Sequence, residues 1–259
     1  MSLLPYVKEE KYILIISNLP EKHNDARKNK GRILLISMVS WGKEVIPMTK
    51  KERARMAVDL LKAAYPDGIC SLEYEKDYEL LFAVRLSAQC TDARVNLVTP
   101  ALFARFPTLE ALAGADVTEV EELIHSTGFF RAKARDIVAA SRMLLEVYGG
   151  KVPATMEELL KLPGVGRKTA NLVLGDIYNT PGAVVADTHC IRISGRLGLT
   201  DGTKEPPKVE AQLRAILPPE ESNDFCHRLV LHGRAVCMAR GPECANCTLR
   251  PWCDFYSGS

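Results

Sequence analysis

The stretch Leu162-Pro163-Gly164-Val165-Gly166-Arg167-Lys168 combines two kinds of chemistry in seven residues. Glycine reaches backbone conformations closed to other residues and puts no side chain between an amide and a ligand. Amides around Gly164–Gly166, at the start of a helix, therefore suit a single phosphate. Such a contact positions a nucleic-acid backbone and reads no sequence. Val165 is placed to plug back into the seam between the flanking helices, and Arg167 adds a cation. A ligand-free turn between two helices has a similar outline, but one glycine would serve it. Lys168, two residues past the second glycine, brings an amine that can act as a nucleophile when a nearby carboxylate helps to activate it.

A candidate carboxylate is Asp187, in "VVADTHCIRISGRLGL". It follows the apolar run Ala183–Ala186 and stands where an aspartate would also cap a helix over Thr188–Leu197. Taken alone, capping is the commoner use; beside a nucleophilic lysine, the carboxylate can stabilise cationic intermediates. A third group is Cys237, Cys244, Cys247 and Cys253, spaced C-x6-C-x2-C-x5-C within 17 residues. Cys70, Cys90, Cys190 and Cys226 are scattered through apolar or mixed segments. Four crowded thiols in a long chain without an evident export signal point to a metal rather than to disulfides. The spacing fits structural zinc and an iron–sulfur cluster equally.

These groups have to be carried by helices. The chain of 259 residues is long enough for one large domain or two small ones. Its net charge is +2, of which residues 1–47 contribute +3 and the remainder −1. Nucleic-acid binding would then rest on a local basic face, not on the global field. The longest apolar runs, such as Tyr12–Ser17 and Ile33–Ser40, are too short to span a bilayer, and a cytoplasmic protein is expected. Residues 1–47, with a charged run between two short β-like stretches, read as a poorly ordered extension. From Met48 onward helical periodicity takes over, with Met56, Leu60, Ala63 and Ala64 on one face and Pro66 as a stop. "DYELLFAVRLSAQ" is apolar enough to be central, "TLEALAGA" opens with a threonine cap, and "DVTEVEELIHSTG" ends at a capping glycine. "RAKARDIVAASRMLLEVYGG", "TMEELLKL", "TANLVLGDIY", "PPKVEAQLRAIL" and "ESNDFCHRLVLHGRAVC" complete an all-α pattern without internal repeats.

Over nearly all of residues 48–259 the chain resembles the endonuclease III family of base-excision repair DNA glycosylases. "LLFAVRLSAQCTDARVN", "GFFRAKA", "LPGVGRKTAN", "VADTHCIR", "LHGRAVC" and the cysteine spacing carry the resemblance, in that order. It implies two helical lobes: a six-helix barrel with the helix-hairpin-helix over about 70–180, and a lobe joining 48–69 to 181–259. The second lobe would hold a [4Fe–4S] cluster on Cys237, Cys244, Cys247 and Cys253. Duplex DNA containing damaged pyrimidines or abasic sites would lie in the cleft between the lobes, bound by a monomer associated with the nucleoid. By the same resemblance Lys168 is the nucleophile and Asp187 its partner. Gln89 would enter the gap left by a flipped nucleotide, and Phe129 would wedge the opposite strand. Gly164, Val165, Gly166 and Arg167 would grip the backbone. The related adenine-mismatch glycosylases keep a catalytic glutamate where this chain has Ala83, and they lack the lysine. A non-catalytic damage-binding protein is the alternative from another class. The loop "MARGPE" departs from the family's basic loop, with Arg240 opposed by Glu243.

Overall fold

A computed structural model describes residues 48–257, and the expectation for residues 1–47 lies outside them. Helix α1 (Lys50–Ala64) begins at a reciprocal cap: the Glu52 amide donates to Thr49 Oγ1 at 3.2 Å, and the Thr49 amide to Glu52 Oε2 at 3.0 Å. Met56 and Leu60 are buried as expected, but Ala63 and Ala64 are exposed. The buried stripe runs instead through Ala54, Ala57, Val58 and Leu61, and the last turn runs out to solvent ahead of Pro66.

The expected central helix is α2 (Asp77–Leu86), where Leu80, Leu81, Phe82, Ala83 and Leu86 are all buried. It stops three residues short of Gln89, whose φ of +54° no α-helix can contain. Around α2 pack α3 (Asp92–Arg105), α6 (Phe130–Tyr148) and α8 (Arg167–Asp176). The short helices α4 (Leu109–Ala113) and α5 (Val117–Ile124) lie against α6. Thr108 caps α4 by accepting from the Ala111 amide, and Asp116 caps α5 by accepting from the Thr118 amide. The glycine pair closes α6 as the sequence suggests: Gly149 and Gly150 both have positive φ, and the Gly150 amide reaches back to Leu144 O. A four-residue helix, α7 (Met156–Leu159), leads into the hairpin and packs on α8.

Past α8 come α9 (Thr188–Arg196), α10 (Pro206–Ile216), α11 (Ser222–Ala235) and the short α12 (Asp254–Ser257). Helix α11 packs on α1, α9 and α8, which ties the N-terminal helix to the C-terminal ones and both to the hairpin helix. The fold is all-α: among the described residues there is no strand. Nor is any described helix long and apolar enough to cross a membrane.

Candidate active site and nucleic-acid interface

The two hairpin glycines are there for different reasons. Gly164 has φ +75°, and a Cβ there would stand 2.6 Å from Arg85 Nε and 2.7 Å from Asp136 Oδ2. Those two side chains form an ion pair at 2.7 Å that joins α2 to α6 directly beneath the turn. Gly164 thus lets the hairpin sit down on the helices below. Gly166 has ordinary backbone angles, φ −101° and ψ 175°, and a Cβ there would meet nothing within 4 Å. No contact within the protein demands a glycine at this position. It is the N-cap of α8 and supplies no side chain to the amides of the first turn, which an α-helix leaves without carbonyl partners. The face above Gly166 is open beside the first-turn amides of α8, a setting in which an anion would be favoured. Val165, between the two glycines, is half-buried.

Arg167, the next residue, is paired within the protein. Its Nε donates to Glu210 Oε2 at 2.7 Å and its Nη2 to Glu210 Oε1 at 2.8 Å, a bidentate fork onto α10. Glu210 is buried and also accepts an ion pair from Arg214 at 2.9 Å. The pairing raises the Arg167 pKa, through the hydrogen bonds first and the carboxylate charge second. The guanidinium thus fastens the first turn of α8 to α10. Nothing local in the sequence marks this contact, since the partners are 43 residues apart.

Lys168 is exposed and shares a cavity of about 390 Å³ with Gln89, Asp187, Thr188 and His189. Asp187 uses both of its carboxylate oxygens within the protein. Oδ1 accepts from the Cys190 amide at 2.7 Å and caps α9, while Oδ2 lies 3.1 Å from His189 Nδ1. Burial works to raise its pKa. The His189 hydrogen bond, the Cys190 amide and the charges of His189 and Lys168 outweigh burial, and the net direction is down. Asp187 is accordingly an anion at neutral pH, half a cap and half a counter-charge facing the lysine's cavity. His189 is a site residue that sequence reasoning passed over, although it was visible beside Asp187 in "VADTHCIR".

Gln89 and Phe129 are two of the three non-glycine residues with positive φ among the described residues, at +54° and +50°. Left-handed backbone is costly for both types and persists where the surrounding structure over-determines it. Both side chains are exposed, Phe129 by 68%. Its neighbour Phe130 is half-buried and lies against the His125 ring, with centroids 4.6 Å apart, so the two phenylalanines differ in packing.

A single buried amine holds both loops. Lys133 on α6 is fully buried; its Nζ donates to Leu86 O at 2.7 Å, ahead of Gln89, and to Thr127 O at 2.8 Å, ahead of Phe129. Burial pushes its pKa down, and the carbonyls at two helix ends oppose that cost. Lys133→Met should lose about 2–4 kcal/mol, a fall in Tm of about 5–15 °C, and leave both carbonyls without their donor. Thermal unfolding and duplex affinity check this; an unchanged Tm with full affinity would deny the clamp.

Cys237, Cys244, Cys247 and Cys253 line one small apolar pocket with Val236 and Pro242. Donors surround the sulfurs: Arg196 Nη1 lies 3.2 Å from Cys237 Sγ, and His232 Nε2 lies 3.5 Å from Cys247 Sγ. Burial pushes the His232 pKa down to about 4, so the ring is neutral and can accept from Tyr65 while donating to sulfur. Burial and the neighbouring sulfurs push Cys247 up to about 11, a penalty that a cationic metal core removes. Four sulfurs lining one apolar pocket, with donors beside them, are a donor set suited to a thiolate-bound metal centre.

Helix-hairpin-helix, lysine cavity and cysteine pocket together define the class of base-excision repair proteins. Residues 82–219 match the family model described as HhH-GPD superfamily base excision DNA repair protein. The chain is 51% identical to endonuclease III of Synechocystis sp. over 211 residues, covering 82% of this chain and 96% of that protein. It is 40% identical to endonuclease III of Bacillus subtilis, covering 80% of this chain and 94% of that one. A solved structure of a trapped endonuclease III–DNA covalent intermediate superposes with a TM-score of 0.76 at 40% identity, covering 82% of this chain and 99% of that chain. The chain belongs to the endonuclease III family.

Proposed function

We propose that this chain is a bifunctional DNA glycosylase and abasic-site lyase that removes oxidised pyrimidines from duplex DNA. The observation that carries the reading is one cavity, opening beside a hairpin suited to phosphate, that holds both the amine of Lys168 and the carboxylate of Asp187. The solved relative described as a trapped covalent intermediate with DNA supports the covalent step.

A base inside the duplex is out of reach, so the nucleotide must leave the stack, most readily where damage has weakened its pairing or stacking. Gln89 fills the gap and Phe129 wedges the opposite strand, each on a backbone already held in the unusual conformation the task needs. Gly164 and Gly166 hold a backbone phosphate, with Val165 seating the turn and Arg167 adding charge from its place against Glu210. The neutral Lys168 amine attacks the sugar C1′ as the C1′–base bond breaks, and the departing base takes up a proton. Asp187 accepts the proton that the new amine sheds and stabilises the cationic Schiff base formed as the sugar ring opens. Loss of a C2′ proton then expels the 3′ phosphate, and water releases Lys168.

A [4Fe–4S] cluster on Cys237, Cys244, Cys247 and Cys253 belongs to this reading; it fastens a C-terminal segment too short to build its own core and takes no part in the cut. The same reading has two lobes, 70–180 and 48–69 with 181–259, and a cytoplasmic, nucleoid-associated monomer.

Incubation with duplexes carrying thymine glycol or an abasic site, in the presence of borohydride, should give a covalent protein–DNA adduct. Borohydride reduces the Schiff base to a stable amine, so the adduct reports the intermediate directly. Tight damage-specific binding with no adduct on any oxidised pyrimidine or abasic site would favour the non-catalytic binding protein.

A further inference from the structure

A second cluster of ligand-type side chains lies outside the machinery described so far. Cys70, on the segment between α1 and α2, Asp176, the last residue of α8, and His227 on α11 bring one ligand atom each to within 4.8 Å of one another. His227 Nε2 lies 2.8 Å from Asp176 Oδ1, and Asn223 Nδ2 donates to the same oxygen at 2.7 Å. The Asp176 side chain is only 8% exposed; its second oxygen, Oδ2, receives no nitrogen or oxygen donor, and the Cys70 thiol is the group that bears on the carboxylate. A buried carboxylate completed by no more than a thiol is costly unless a cation joins it.

Two arrangements can use cysteine, histidine and aspartate together. In a nucleophilic relay the imidazole stands between thiol and carboxylate and offers each a different nitrogen. Here one ligand atom from each of thiol, imidazole and carboxylate lies within 4.8 Å of the other two, the thiol close to the carboxylate as well as to the ring, and Nε2 already faces Asp176. Burial, followed by the Asp176 charge, pushes the Cys70 thiol up to about 12, the wrong direction for a nucleophile. Convergence on one point is instead what a metal ion requires.

We propose that Cys70 Sγ, Asp176 and His227 Nε2 form a zinc-binding site, separate from the four C-terminal cysteines, with a fourth position open to solvent. The sulfur, nitrogen and oxygen donor set selects zinc over magnesium or calcium. Tetrahedral zinc sets its ligand atoms about 3.3–3.8 Å apart, so His227 and Asp176 need part by less than about 1 Å from their hydrogen-bonded distance. Asn223 orients the carboxylate, and it is itself pressed against Gly175, where a Cβ would come within 2.2 Å of its Oδ1. The open position faces an adjoining cavity of about 650 Å³ lined by Tyr74, Asn179 and Asn223. Cys70 and His227 also line the cavity of Lys168. Bound zinc would therefore pin the segment around Cys70 to α8 and α11 and stiffen one wall of that cavity. The proposal stands independently of the reaction assigned above.

The test titrates Zn²⁺ alone into the full chain as purified, with iron content measured before and after. One zinc per chain should bind with no loss of iron. Cys70→Ser and His227→Asn should each weaken binding by more than the ~10–100-fold that loss of a supporting hydrogen bond costs a metal site. No uptake, or equal uptake by Cys70→Ser, overturns the proposal. A second measurement needs no variant: zinc should shield Cys70 from alkylation, read by peptide mass spectrometry. Cys70 labelled at an undiminished rate in saturating zinc also overturns it.

Discussion

Replacing Lys168 by alanine is expected to abolish the borohydride-trapped adduct and to lower strand cleavage by at least about 1000-fold, ~4 kcal/mol of barrier. The effect should be confined to chemistry. Lys168 is exposed on the first turn of α8, and among the described residues no hydrogen bond or ion pair engages its amine. Its removal therefore leaves packing intact, and Tm should move by no more than surface substitutions usually allow, about 0.5 kcal/mol in stability. Affinity for a duplex should fall by about tenfold at most, because the open amides at Gly166 and the loops at Gln89 and Phe129 remain. Gel detection of the adduct, paired with a binding titration, separates the two effects. An adduct that survives in Lys168→Ala would move the nucleophile elsewhere.

What could be read from the sequence was local. The threonine cap at Thr108, the Gly149–Gly150 stop and the crowding of the four cysteines all act over short stretches, and all appear where the pattern places them. Asp187 was legible as a cap, and one oxygen caps α9 while the other faces His189. Contacts between distant segments left no such signature. Lys133 reaches Leu86 across 47 residues, Arg167 reaches Glu210 across 43, and Asp176 reaches His227 across 51. A basic residue in "GFFRAKA" carries no mark that says it will be fully buried between two loops. The left-handed backbone at Gln89 and Phe129 was equally silent, because neither residue type favours it. The contacts nearest to both, from Lys133 to Leu86 O and Thr127 O, come from a residue distant from Gln89 in sequence. At Gly164 the sequence suggests a phosphate, while the structure shows a reason within the protein: the Arg85–Asp136 pair beneath it leaves no room for a side chain.

Asp187→Asn is the second large effect, and its value lies in what it spares. Asparagine is as good an N-cap as aspartate, so its Oδ1 can keep the bond from the Cys190 amide and hold α9 in place. Stability at neutral pH should change by about 1 kcal/mol or less, and duplex affinity should be retained. Turnover should nonetheless fall by about 100- to 10,000-fold, the range associated with a positioned acid–base group, because the anion facing His189 and Lys168 is gone. The pH dependence sharpens the test. Since the folded pKa of Asp187 lies below its ordinary value, the carboxylate stays ionised throughout the working range, and the ratio of wild-type to variant rate should be flat above about pH 5. Its contribution to stability has the matching sign: present above the unfolded pKa of about 3.9, and lost as pH falls through the lower folded value. Acid unfolding of the wild type should therefore show a loss below about pH 4 that the asparagine variant lacks. A variant that melts early and binds duplex poorly at neutral pH would reduce Asp187 to a cap, and one that turns over normally would remove it from the chemistry.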